Sequence, residues 1–185
     1  MNMAETRIER FTRAWEQAGG GWEHQPDPAS ARLALLLRLR QSRVRRLAAP
    51  ALSSLPIPGL AEALRDAGFI LLQPKEREPI EEMSISIVAA HAALAATGSL
   101  VFSTLSPKHW LIHLLSSKQI VLLPTSVIYD DIAAWRTAWI QEGLGDACAA
   151  ALIVSGPSVT RDMDLTPHLG MFGPRDVHVI LFDVR

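Results

Sequence analysis

The sequence predicts an α/β domain, a three-layer α/β/α sandwich in which a mostly parallel sheet carries helices on both faces. Three observations lead there. The runs FILLQ, SLVFS, QIVLL, ALIVS and HVILF are apolar at consecutive positions, the mark of strands buried on both sides. Stretches with helical spacing lie between most of them, and alternation of this kind builds parallel sheets. The chain has 185 residues, 49% of them hydrophobic, which suits one core of ordinary domain size.

Each element has its own signal. Ile8, Phe11 and Trp15 recur at helical spacing over residues 5–18 and end at Gly19-Gly20-Gly21, so a helix is expected there. GWEHQPDP reads as a loop, and Ser30 as the N-cap of a second helix running to about Ala48. On that helix Leu33, Leu36, Leu37, Val44 and Leu47 form one apolar stripe, and Arg40 alone among its arginines falls inside it. Pro50, Pro56, Pro58 and Gly59 mark a linker. The expected division is therefore an N-terminal helical extension over 1–50 and an α/β domain over 51–185. GLAEALRDAG is a short helix closed by Gly68, followed by the FILLQ strand. From Met83 to Pro107 no residue is charged, a length that could cross a bilayer. Ser84, Ser86, His91, Ser99 and Ser103 interrupt it, so it reads as protein interior, with AAHAALAA helical and SLVFS (99–103) a strand. PKHWLIHLLSS (107–117) is a helix and KQIVLLP (118–124) a strand. DDIAAWRTAWIQEGLG is a helix begun by Asp130 or Asp131, and AALIVSG (150–156) and DVHVILFDV (176–184) are strands.

Charge and cysteine content narrow the function. Eighteen basic against nineteen acidic residues give a net charge of −1, with no global attraction to nucleic acid or anionic lipid. The single cysteine, Cys148, excludes a disulfide framework and a four-cysteine cluster or zinc site; a small core residue is expected there. MNMAETRIERF has no apolar h-region and does not read as a signal peptide. A reduced, soluble, cytoplasmic protein without a membrane span is the expectation.

Two glycine-containing turns carry the strongest site signal: Thr97-Gly98-Ser99 before one strand and Ser155-Gly156-Pro157-Ser158 after another. Such turns can present backbone amides to a carboxylate or phosphate. Ser158 reads as an N-cap, with Asp162 near a helix start. Neither nucleotide-binding glycine motif is present. His109 and His113 stand four apart but lack the glutamate of H-E-x-x-H, so no metal site is expected. His91 and His178 lie in apolar runs and read as satisfied interior or edge histidines. His178 keeps some catalytic weight because it begins the last strand beside Gly173-Pro174. Arg32, Arg38, Arg40, Arg43, Arg45 and Arg46 could touch nucleic acid. No aromatic residue interleaves with them, so a solvated face is the better reading.

Residues 83–185 resemble the LUD family, the LutC-type lactate-utilisation proteins. The matching segments are Ala95-Ala96-Thr97-Gly98-Ser99-Leu100-Val101, then Gln119-Ile120-Val121-Leu122-Leu123-Pro124. Ser155-Gly156-Pro157-Ser158-Val159-Thr160-Arg161-Asp162-Met163-Asp164 follows, and finally Gly170-Met171-Phe172-Gly173-Pro174 with the strand from His178. The resemblance implies a fold like that of the NagB/RpiA/CoA-transferase superfamily. It implies a part in oxidising lactate to pyruvate with iron–sulfur partner proteins, the clusters lying in the partners and no cofactor in this chain. Where the family carries glutamate before Thr-Gly, this chain has Ala96, which removes covalent carboxylate catalysis at that position. Family histidines are replaced by Phe172 and Gln119, the family alanine before Asp162 by Arg161, and a family glutamate by Asp164. The expected ligand-binding set is Thr97, Gly98, Ser99, Ser155, Gly156, Ser158, Thr160, Arg161 and Gly173. Asp162, Asp164 and His178 are weak catalytic candidates. An accessory subunit that binds a small anion or a partner leads. A superfamily enzyme acting on a CoA-linked or phosphorylated anion comes second, a nucleic-acid-binding module third, and a homo-oligomer is admitted.

Overall fold

The computed structural model describes residues 5–50, 54–72, 84–104, 110–143, 150–161 and 166–184. Helix α1 (Arg7–Gln17) opens with a reciprocal cap between Thr6 and Glu9 and buries Phe11 and Trp15 completely. β1 (Gly21–Gln25) follows, then α2 (Pro28–Gln41), β2 (Arg46–Ala48), α3 (Leu60–Asp66), β3 (Ile70–Leu72) and β4 (Ile85–Ala89). Next come β5 (Ala92–Leu94), β6 (Ser99–Thr104), α4 (Leu111–Leu115), β7 (Lys118–Pro124), β8 (Ile128–Tyr129) and α5 (Ile132–Gln141). β9 (Ala150–Val154), β10 (Val159–Arg161), β11 (Pro167–Leu169) and β12 (Asp176–Phe182) complete the order.

The architecture is α/β, as expected, and FILLQ, SLVFS, QIVLL, ALIVS and HVILF each supply a strand. Six strands form a parallel sheet in the order β1-β12-β7-β4-β2-β3. One face packs on α2 and α3, where Leu35, Leu39 and Leu64 meet Ile87, Leu122 and Ile180. The other face meets α1, α4 and a second sheet ordered β8-β5-β6-β9, so that Phe11 and Trp15 pack with Leu100, Val121 and Val179. A two-stranded hairpin, β10-β11, stands apart from both sheets.

Several expectations are corrected. GWEHQ is strand β1, held parallel to β12 with Gly21 opposite His178, and β2 adds a second strand from the first fifty residues. Those residues thus supply sheet as well as helices. α2 starts at Asp27, whose carboxylate accepts the Ser30 N–H at 2.8 Å, with Pro28 in its first turn. It ends near Ser42 because Arg43 is left-handed, φ 58°, and Leu47 and Ala48 are needed inside the sheet. Its buried face is Ala31, Leu35 and Leu39; Leu33 and Leu37 are exposed, and so is Arg40. AAHAALAA is extended, giving the end of β4 and all of β5, because small side chains let the second sheet lie close against the first. Ser158 precedes strand β10 rather than a helix. No helix among the described residues is long and apolar enough to cross a membrane.

Candidate functional site

The two glycine turns do converge, through antiparallel pairing in the second sheet. β6 and β9 align Leu100 with Val154, which sets Ser99 beside Ser155. Their hydroxyls lie 2.7 Å apart, and Thr97 Oγ1 lies 2.7 Å from Ser99 Oγ. The glycines face α1. A Cβ on Gly98 would strike the backbone of Ala14 and Trp15, and one on Gly156 would lie 2.5 Å from the Ala18 carbonyl. Both residues have positive φ, 61° and 91°, so glycine serves the turn and the close approach together. Turn amides are engaged too: Thr97 N–H donates to Leu94 O, and Ser158 N–H to Pro174 O at 2.9 Å. Ser158 Oγ accepts from Phe172 N–H at 3.3 Å, and a Cβ on Gly173 would meet His113 O and Ser158 Cβ. This corner seats α1 and ties down the 170–174 turn. Thr160 lies in β10 opposite His168, and Arg161 opposite Pro167. The Arg161 side chain, Asp162, Asp164, His109 and Cys148 lie outside the described residues.

His178 is placed differently, in a pocket of about 190 Å³ at the amino ends of β4, β7 and β12, beneath the end of α2. Its ring occupies space that Gly21 leaves open, since a Cβ there would come within 2.7 Å of His178 Nδ1. His178 Nε2 lies 3.2 Å from Glu23 Oε1, and the same oxygen accepts Arg38 Nε–H at 3.3 Å. Burial, helped by the Arg38 charge, holds the imidazole below its ordinary pKa, against the opposing pull of Glu23. Lys118 and Asp176, paired across β7 and β12 at 3.3 Å, also line this pocket. Arg38 and Lys118 therefore flank a neutral imidazole that can accept or share a proton, an arrangement able to receive a small anion.

The sequence reading singled out His178 but not Glu23, Lys118 or Asp176, and it placed Arg38 on a solvated face. One legible signal was available, since Lys118 and Asp176 each open an apolar strand run. The parallel register that joins them was not legible.

His91 and His113 are satisfied locally. His91 is exposed, and its Nδ1 accepts Ser103 N–H at 3.2 Å. His113 Nδ1 lies 3.3 Å from Gln119 Oε1, and Gln119 donates to Ser86 Oγ at 3.2 Å. Among the described residues no group of three or more His, Cys, Asp or Glu could hold a metal ion. The arginines of 32–46 do not form one face: Arg32 donates to Pro58 O, Arg38 meets Glu23, and Arg45 lies over Phe69.

The family model described as the LUD domain matches residues 71–182. A DUF162 family protein from Deinococcus radiodurans, known from a crystal structure, superposes with a TM-score of 0.67 at 15% identity. That match covers 97% of this chain and 99% of the other. The tetrameric eIF2B-beta2-delta2 complex from C. thermophilum aligns at a TM-score of 0.30 and 17% identity, over 68% of this chain and 44% of that one. A search of curated proteins gives no match.

Proposed function

The chain belongs to the LUD-domain family, and from that premise we propose that it serves lactate utilisation as a LutC-type accessory subunit. In this reading it binds a small carboxylate between Arg38, Lys118 and His178 and leaves electron transfer to iron–sulfur partner proteins. The observation that carries the ligand half is the His178 pocket, which has Arg38 and Lys118 at its rim, the latter paired with Asp176, and room for an anion of a few heavy atoms. Arg38 meets Glu23 through Nε alone, and its terminal nitrogens have no protein hydrogen bond among the described residues. A carboxylate docking there gains a charge-assisted hydrogen bond, worth about 1.5–3 kcal/mol where partly desolvated.

The test is a titration with L-lactate, acetate and phosphate, followed by thermal shift and by the His178 ring resonances. Binding by the parent and a ten- to hundredfold weakening in Arg38→Ala, roughly, are expected. Lactate affinity unchanged in both Arg38→Ala and Lys118→Ala overturns the site. Affinity purification under oxygen-free conditions tests the partner half, where an iron- and sulfide-containing companion is expected.

A second reading, an enzyme acting on a CoA-linked or phosphorylated anion, draws on the neutral His178 imidazole beside Glu23, a pair suited to general base work. Turnover of a CoA ester by the lone protein would move this reading to first place.

A further inference from the structure

The pocket at His178 carries as much negative charge as positive. Arg38 and Lys118 line it, but Arg38 Nε–H donates to Glu23 at 3.3 Å and Lys118 Nζ lies 3.3 Å from Asp176 Oδ2. His178 adds no charge at neutral pH, because burial holds its pKa below the ordinary value. Two cations therefore face two carboxylates. The last turn of α2 lies over the pocket, and the carbonyl end of a helix is itself partly negative. Ser42 Oγ–H donates to Leu39 O, and the Gln119 amide is engaged by Ser86 and His113. The floor is apolar, made by Leu39, Ile85 and Ile120.

Charge balance decides what such a pocket can hold. The attraction an anion gains from its surroundings grows in proportion to its charge, whereas the penalty for leaving water grows as the square. Where cations and carboxylates cancel, a second negative charge adds desolvation without added attraction. An apolar substituent gains instead, by leaving water for the floor of the pocket. We propose that the site takes a monocarboxylate with a short apolar substituent and turns away dianions, phosphates and dicarboxylates alike, and that Asp176 sets this selectivity. The inference rests on the anion-binding reading given above and narrows it. Asp176 suits the role because β12 and β7 set it directly beside Lys118, where it withholds that cation from a second anionic group. Glu23, by contrast, also orients Arg38 and His178, so its removal would disturb more than charge.

Propionate and malonate differ only in a methyl group replaced by a carboxylate, and NMR titration of the full chain at about pH 8 and low salt compares them with malonate fully ionised. Propionate is expected to bind the parent at least about tenfold more tightly than malonate. Asp176→Asn removes the charge and keeps the shape. Asp176 and Lys118 are each about half exposed, and such an ion pair contributes little to stability, so the variant should melt as the parent does. The change in potential acts once on propionate and twice on malonate, so a gain of about threefold for the first means about tenfold for the second. If both anions bind and Arg38→Ala weakens them, yet malonate already equals propionate in the parent or Asp176→Asn leaves their ratio unmoved, this inference falls and the site stands. If the parent binds no propionate, or if neither Arg38→Ala nor Lys118→Ala weakens it, the site falls and the inference with it.

Discussion

His113 shows how one buried ring can set a pH dependence. It lies against Phe102, ring centres 4.2 Å apart, and reaches Gln119 Oε1 through Nδ1. Removal from water brings its pKa down to about 4, with the Gln119 contact opposing the shift. Above pH 6.5 the imidazole is neutral in the folded and the unfolded chain alike. As the pH falls below that, the unfolded chain takes up a proton that the folded one refuses until about pH 4. Stability is therefore lost across that window, on the order of 3 kcal/mol in total. His113→Asn retains a donor toward Gln119 and has no ring to titrate. Urea melts at pH 7 and pH 4.5 should show the parent losing roughly 2–3 kcal/mol more than this variant; equal losses would refute the assignment. The sequence marked Gln119 as a replaced family histidine, but not its burial. Its partners Ser86 and His113 come from a neighbouring strand and from α4, a juxtaposition no local pattern encodes.

At the scale of elements, α1 is the clearest case of a site signal with a packing cause. Its two aromatic anchors fill the core between the sheets, and Trp15 Nε1 donates to Gly21 O at 2.9 Å. Arg7 and Arg10 fasten its first turn to Asp130. Gly98→Ala and Gly156→Ala should each destabilise by about 2–4 kcal/mol, through a Cβ driven into the α1 backbone and a strained positive φ. Lactate affinity at the His178 pocket should be unaffected, and a variant of normal melting temperature would count against the α1 seat. The glycines were legible in the sequence; what they accommodate was not, because the helix lies more than eighty residues away along the chain. α1 itself was readable, since three apolar residues share one stripe. α2 was readable as a helix but not in its buried face, because leucines occupy both sides. β1 escaped notice because an edge strand with alternating exposure resembles a polar loop.

For the whole molecule, three of the five apolar runs, FILLQ, QIVLL and HVILF, with the helices between them, made the parallel sheet legible, while SLVFS and ALIVS became β6 and β9 of the second sheet. The second sheet was hidden because β8 and β9 join the β5–β6 hairpin from later segments, and the alanine-rich β5 resembles helix. The isolated chain should show no lactate-dependent reduction of an artificial electron acceptor, since one cysteine cannot supply the thiolates of a four-cysteine cluster. Spectrophotometry with a dye acceptor under anaerobic conditions checks this, and steady reduction by the cofactor-free protein would refute it.

The pairing of residues 21–25 with 178–182 bears on how the protein is made. A ribosome finishes β1 long before it reaches β12, the neighbour that strand needs. Closing so long a loop is slow, because its entropy must be lost before the contacts that reward it can form. The nascent chain therefore carries a strand unsatisfied along both edges until β12 emerges. Chaperone demand should accordingly include this short segment until β12 is made.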